Sequence, residues 1–192
     1  MPNRAYPAYD GRVSQPSPSR ELRGDAIVAH PLVRELLAAR LVGVLSTLEP
    51  DGSVHAVPMW LSGEGGEIVL ATGSDSRKVR HLVRDDRATL TLHDSRPGCE
   101  VCGVSLRGRV EIVRQPDAAP LIERVHRRYV TATGLALPEV RSFLGHDDVA
   151  LRFQPEVAIT WDERESVAAR VLRASGEALP LEPTTPRGGA AG

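Results

Sequence analysis

The sequence predicts a mainly β fold of the α+β class, with six to seven antiparallel strands forming a closed or partly closed barrel and a few peripheral helices. Three observations carry this expectation. Seven segments (41–47, 54–61, 67–72, 88–93, 100–113, 149–153 and 157–161) are rich in β-branched and apolar residues at strand length. Several of the links between them are short and built on glycine or proline, as in an antiparallel meander. Helical spacing is confined to a few short stretches. A meander of this kind covers its bare edges by curling on itself.

The elements follow in order. Residues 1–25 are rich in Pro, Ser, Arg and Gly without sustained periodicity, and read as a flexible N-terminal arm. Residues 26–165 read as one domain. Its first helix runs from His30 to Arg40, where Leu32, Val33, Leu36 and Leu37 make one apolar stripe and Pro31 suits the first turn. Strand 41–47 is followed by a turn at Glu49-Pro-Asp-Gly52. Strand 54–61 contains Pro58, which has no backbone donor. It therefore belongs at an edge, a bulge or a point where something other than a strand meets the backbone. After a glycine turn at 63–66 comes strand 67–72, and then a helix over 74–84. That helix has Val79, Leu82 and Val83 on one face and Arg77, Arg80, His81 and Arg84 on another.

Strand 88–93 and the loop 94–98 lead to a long strand, 100–113, bent at Gly103 and Gly108. A helix over 118–130 turns Leu121, Ile122, Val125 and Tyr129 inward. An irregular stretch, 131–148, holds a short helical piece near 138–144. Two closing strands, 149–153 and 157–161, hinge at Gln154-Pro-Glu156. From Ser166 onward the composition drifts to Ala, Pro, Gly and Thr, and 166–192 reads as a flexible tail.

Length and charge bound the function. The 192 residues suffice for one ordinary domain with a sizeable core, and the formal net charge is −1. That balance argues against non-specific nucleic-acid binding, which needs a basic surplus. No apolar run is long enough to span a bilayer, and the N-terminus has no signal-peptide core, so a soluble cytoplasmic protein is the expectation.

The chemically richest stretch is Ser74-Asp-Ser-Arg-Lys-Val-Arg-His81. A helix N-terminus offers free N–H groups and partial positive charge, and so attracts phosphate. Ser76 adds a hydroxyl, while Lys78 and Arg80 add charge-assisted donors. A solvated basic face paired with Asp85, Asp86 and Glu67 would show the same charge pattern.

An ordered set of segments carries a resemblance. It comprises Leu41-Val-Gly-Val-Leu-Ser-Thr47, Asp51-Gly52, Val57-Pro-Met-Trp60, Ser76-Arg-Lys-Val-Arg-His-Leu82, Asp85-Asp-Arg-Ala88, Arg107-Gly108, Val110-Glu-Ile-Val113 and Pro155-Glu-Val-Ala-Ile-Thr-Trp161. Over about Leu32 to Trp161 the chain resembles the pyridoxamine 5'-phosphate oxidase-like family, most of all its flavin- and deazaflavin-dependent oxidoreductase branch. The resemblance implies an FMN-binding-like split β-barrel. It also implies a homodimer with the cofactor at the subunit interface, and a flavoprotein-type oxidoreductase acting on a small-molecule substrate. Coenzyme F420 is the expected cofactor, FMN the alternative and heme a remote third. A flavin- or heme-binding protein without turnover is the reading from another functional class.

Carried over by position, the phosphate-binding segment is Ser76, Arg77, Lys78, Arg80 and His81, with Thr72 just before it. The ring-contacting strands are Ser46, Thr47, Val57, Pro58, Met59 and Trp60. Ser76 stands where the family often has a basic residue, and His81 where it often has Asn. No catalytic side chain is assigned, because the cofactor carries the difficult chemistry.

The remaining motifs are weak. Cys99-Glu-Val-Cys102 is a lone pair of cysteines at a spacing that puts the thiols on opposite faces of a strand, and no metal site is expected. The six histidines show no ligand spacing, and His93 or His126 as a heme ligand is a remote option.

Overall fold

Strands β2 (Gly43–Leu48) and β3 (Val54–Met59) form a hairpin that sets the face logic of the barrel. Thr47 opposes His55, Leu45 opposes Val57 and Val44 opposes Pro58. Paired residues share a face. Gly43, Leu45 and Thr47 therefore point inward with Val57 and Met59, while Val44, Ser46, Ala56 and Pro58 point outward. The computed structural model describes residues 20–96, 100–144 and 147–179. Most of the predicted arm, most of the residues beyond the last helix, and Cys99 lie outside these.

Among the described residues there are eight strands in one antiparallel sheet, curled into a half-barrel. The others are β1 (Arg20–Arg23), β4 (Leu61–Ser62), β5 (Ile68–Gly73), β6 (Arg87–Arg96), β7 (Glu100–Val113) and β8 (Asp148–Asp162). Their order is β3-β2-β6-β7-β8-β5-β4, with β1 against the second half of β8. The split-barrel α+β class expected from the sequence is the fold observed.

Four details differ from the sequence reading. The stretch 54–61 is two strands, because β3 pairs with β2 whereas β4 pairs with β5, and Trp60 alone separates them. The two closing strands are one, since β7 runs along all of β8 and takes up Glu156 as a bulge between Arg107/Val157 and Gly108/Pro155. The meander breaks at β5, which crosses to β8 instead of pairing with β3. Ordered elements also extend past the expected domain ends. Residues 20–23 are paired as β1, and α7 (Val167–Ser175) is capped by Ser166 accepting from the Ala169 amide.

Because β3 and β4 stand at opposite ends of the strand order yet are joined by one residue, the sheet must curl until its two ends meet. Trp60 sits at that seam. Inside the curl pack Leu45, Leu61, Ile68, Leu70, Leu90, Leu92, Val104, Leu106 and Leu151. Helix α2 (Pro31–Ala38) lays its predicted stripe of Leu32, Val33, Leu36 and Leu37 against this core. Helix α4 (Ala118–Tyr129) covers the other face of β5 and β8, where Ala118, Ile122 and Val125 bury Val69 and Ala150. This is why β5 is apolar on both faces. Helix α3 (Arg77–Arg84) buries Val79 and Leu82, and Val83 of the expected apolar face is exposed. Short helices α1 (Asp25–Ala29), α5 (Ala132–Ala136) and α6 (Pro138–Phe143) complete the described chain.

Candidate functional site

At the seam lies a cavity of about 380 Å³ bounded by β3, β5, α4 and the start of β8. Four of the predicted site residues line it: Pro58, Met59, Trp60 and Thr72. The rest of its wall is Ala71, Gly73, Val125, His126, Leu144 and Asp148. Its volume falls within the range of small-molecule sites, as does the mix of apolar wall and few polar groups.

Each wall is placed by the local fold. Pro58 lies on β3, the edge strand, where its missing donor leaves no ladder bond unmade. Trp60 stacks on Tyr129 at 4.8 Å with nearly parallel rings and meets His126 edge-on at 6.4 Å. The Tyr129 hydroxyl donates to the Leu41 carbonyl (2.5 Å) and accepts from the Leu61 amide (3.2 Å), so the stack is tied to the chain just before β2 and to β4.

Behind Thr72 stands the charge. Lys78 Nζ donates to Thr72 Oγ1 at 2.9 Å, and Thr72 Oγ1 donates to Ser76 Oγ at 3.4 Å. Lys78 is half-buried, and among the described residues no carboxylate lies within ion-pair distance of it. Burial lowers its pKa below the ordinary lysine value. A part-desolvated ammonium without a counter-ion beside two hydroxyls and a helix start fits a phosphate group. Ser76 is the N-cap of α3, but its side chain takes the Thr72 proton rather than a helix amide.

The structure does not bring all twelve predicted residues together. Ser46 and Thr47 border a separate cavity of about 370 Å³ with Thr89, Arg107 and Glu156. Three of the predicted residues make contacts within the chain instead of lining the seam cavity. Thr47 Oγ1 is bonded to His81 Nδ1 at 3.0 Å, and His81 Nε2 meets Glu49 at 3.0 Å, so Thr47 and His81 are buried links between β2 and α3. Val57 faces the core opposite Leu45. Alternation along β2 and β3 turns Thr47 and Val57 inward. Arg77 and Arg80 are exposed. Arg77 pairs loosely with Glu49 at 3.5 Å, and Arg80 donates to the Asp75 carbonyl.

The sequence reading had His126 only as a remote heme ligand and did not include Asp148. Val125 and Tyr129 were expected inward, and His126 between them carried a faint signal. Asp148 carried none, since its place beside Gly73 comes from the β5–β8 register. Burial lowers the pKa of His126, with the Asp148 charge opposing. Burial also raises that of Asp148, with His126 opposing. The described residues contain no group of side chains suited to a metal ion. A larger cavity of about 680 Å³, lined by Arg34, Glu64 and Arg128 among others, holds none of the predicted residues.

Fold and site together define a split β-barrel with a cavity at its seam. The sequence profile of the family described as pyridoxamine 5'-phosphate oxidase matches residues 29–162, and the chain belongs to that family, which includes oxidoreductases. Among solved structures it is similar to a conserved hypothetical protein of Mycobacterium tuberculosis (28% identity, TM-score 0.56, covering 86% of this chain and 94% of that one). It is also similar to an F420 reductase (25% identity, TM-score 0.51, 65% and 94% covered). A heme-binding protein of Mycobacterium smegmatis shares the fold (19% identity, TM-score 0.53, 71% and 54% covered). No curated protein matches the sequence. Among the described residues no helix is long and apolar enough to cross a membrane.

Proposed function

We propose that this chain is an oxidoreductase that holds the deazaflavin coenzyme F420 at the barrel seam and serves hydride transfer to a small unsaturated substrate. The observation that carries the reading is Lys78: a half-buried cation with no carboxylate partner among the described residues, bonded to the Thr72 that lines an apolar cavity. When bound, the deazaflavin would supply the hydride chemistry. The chain's own part is to bind and orient. Lys78, Thr72 and Ser76 would hold the phosphate. Pro58, Met59 and Trp60 would form the ring wall, with Trp60 fixed by its stack on Tyr129. Val125 and Leu144 keep water from that wall. The likeness to an F420 reductase favours deazaflavin over FMN.

The reading includes a homodimer with the cofactor between subunits. Edge strand β3 exposes Val54, Ala56 and Pro58, an outward face that a second copy would cover. The deciding experiment titrates the purified protein with F420, followed by fluorescence quenching, and with FMN in parallel. Saturable F420 binding tighter than FMN is expected. FMN binding alone would move the protein to the FMN-dependent reading, and binding of neither would overturn the proposal.

A further inference from the structure

The seam cavity has a second polar wall that the phosphate argument leaves unused. His126 comes from α4 and Asp148 from the start of β8, and both line the cavity. Both are half-buried, and neither side chain has a hydrogen-bond partner among the described residues. The surfaces around them are the apolar groups of Pro58, Met59, Trp60, Val125 and Leu144. Polar groups withdrawn from water in such a place call for a partner.

Their placement is built. The imidazole stands edge-on to Trp60, whose other contact is the tied Tyr129 ring. The Asp148 backbone pairs with Gly73, one step along from the Thr72 that Lys78 holds. A methyl group at Gly73 would come 3.4 Å from Asp75 Oδ1 and 4.0 Å from Asp148 Oδ1, so two carboxylates stand over this glycine. Gln115 donates to the Asp148 carbonyl at 3.3 Å and steadies that turn of chain.

We infer that His126 and Asp148 read a ring edge that carries a carbonyl beside an N–H, and thereby fix which way round a ligand enters the seam. The inference rests on the seam being the cofactor site. A neutral imidazole offers one N–H donor, and a carboxylate offers only acceptors. Side by side they complement a lactam or imide edge, with the imidazole donating to the carbonyl and the carboxylate accepting from the N–H. The depressed histidine supports the neutral donor form. Asp148 also repels anionic groups, which favours the imide edge of a ligand over its phosphate at this wall. The pyrimidinedione ring shared by flavins and deazaflavins has such an edge. A substrate amide has one too, and the experiment separates the two sources.

The test uses whichever ring binds in the titration, F420 or FMN, and its N3-methyl derivative, which lacks the edge N–H. Wild-type protein should bind the methylated ring about tenfold more weakly or worse, the loss for one good hydrogen bond to a charged group. Asp148→Ala should bind both rings with the same reduced affinity. His126→Phe should lose affinity and His126→Gln should recover part of it, with melting temperature checked for each variant. As a readout independent of turnover, the His126 imidazole NMR signals should shift on saturation with the ring. Equal wild-type affinity for both rings, with the unmethylated ring still bound, would sink this inference and leave the cofactor site standing. Unchanged cofactor affinity in all three variants, with only substrate KM altered, would assign the wall to substrate and overturn it as stated. Failure of both F420 and FMN to bind would remove the cofactor reading and the inference built on it.

Discussion

Burial of the Lys78 ammonium weighs against folding in the free protein, and the proposed site would turn that charge to binding. Its pKa is lowered by burial, so the folded state binds its proton less tightly than the unfolded state does. That penalty is fully present below the folded pKa and fades as pH rises through it toward the ordinary 10.5. Lys78→Met should therefore raise the melting temperature of the apoprotein near neutral pH, with the gain shrinking in alkali. The same variant should lose about 1.5–3 kcal/mol of F420 affinity, the range for hydrogen bonds to charged groups. A variant that is less stable yet binds normally would show Lys78 to be structural. Trp60 makes a complementary test. Trp60→Ala removes the Tyr129 stack and should cost about 3 kcal/mol, the low end for buried tryptophan because this one is half-buried. It should also weaken cofactor binding or shift the bound chromophore's absorbance. Loss of stability with affinity and spectrum intact would make Trp60 packing alone.

Among the elements, β8 does the most joining. It pairs with β7 along its length, with β1 on one half of its other edge and with β5 on the other half. The bulge at Glu156 lets one strand turn between those partners, and Gly108 is its fulcrum. A Cβ there would fall on the Gln154 carbonyl, which is backbone and cannot step aside. Gly108→Ala should cost about 3 kcal/mol, at the severe end of overpacking, and lower cooperativity in a denaturant melt. The start of β5 is tied by Glu67, which accepts from Arg124 of α4 at 2.7 Å and from Arg152 of β8 at 2.6 Å. These bonds hold the Glu67 carboxyl below its ordinary 4.5. A lowered acid stabilises the fold above its unfolded pKa and loses that contribution as pH falls through the folded one. Glu67→Gln should thus melt lower than wild type at pH 7 by no more than about 1 kcal/mol, because the group is partly exposed. The two curves should converge below pH 4.5. A gap independent of pH would mean that packing, not charge, links these elements.

At the scale of the molecule, the outward faces of β2 and β3 remain uncovered in one chain. Val54 is 65% exposed, and Ala56 and Pro58 are exposed beside it. A second copy would cover an edge strand that otherwise invites non-specific pairing. Sedimentation should give a dimer at working concentration, and Val54→Lys should shift it toward monomer while weakening cofactor binding. A monomeric wild type that still binds cofactor would refute the shared-site dimer.

The sequence by itself determined most element types, much of the core and the basic character of 77–84. Those properties are local. Leu32, Val33, Leu36 and Leu37 announce a helix face by their spacing, and Glu100 to Val113 announces one long strand by its alternation. Lys78 was legible because charge beside a helix start needs no partner to be recognised. The tertiary structure decided the rest. Strand parity, fixed by the β2–β3 register, turned Thr47 and Val57 inward while Ser46 and Pro58 faced out. Curling the sheet until β3 and β4 met at Trp60 created the cavity, and the β5–β8 register brought Asp148 beside Gly73. His126 and Asp148 join Trp60 only because the closed barrel brings chain positions far apart in sequence to one wall. Such juxtaposition is set by long-range pairing and burial, and no local pattern encodes it.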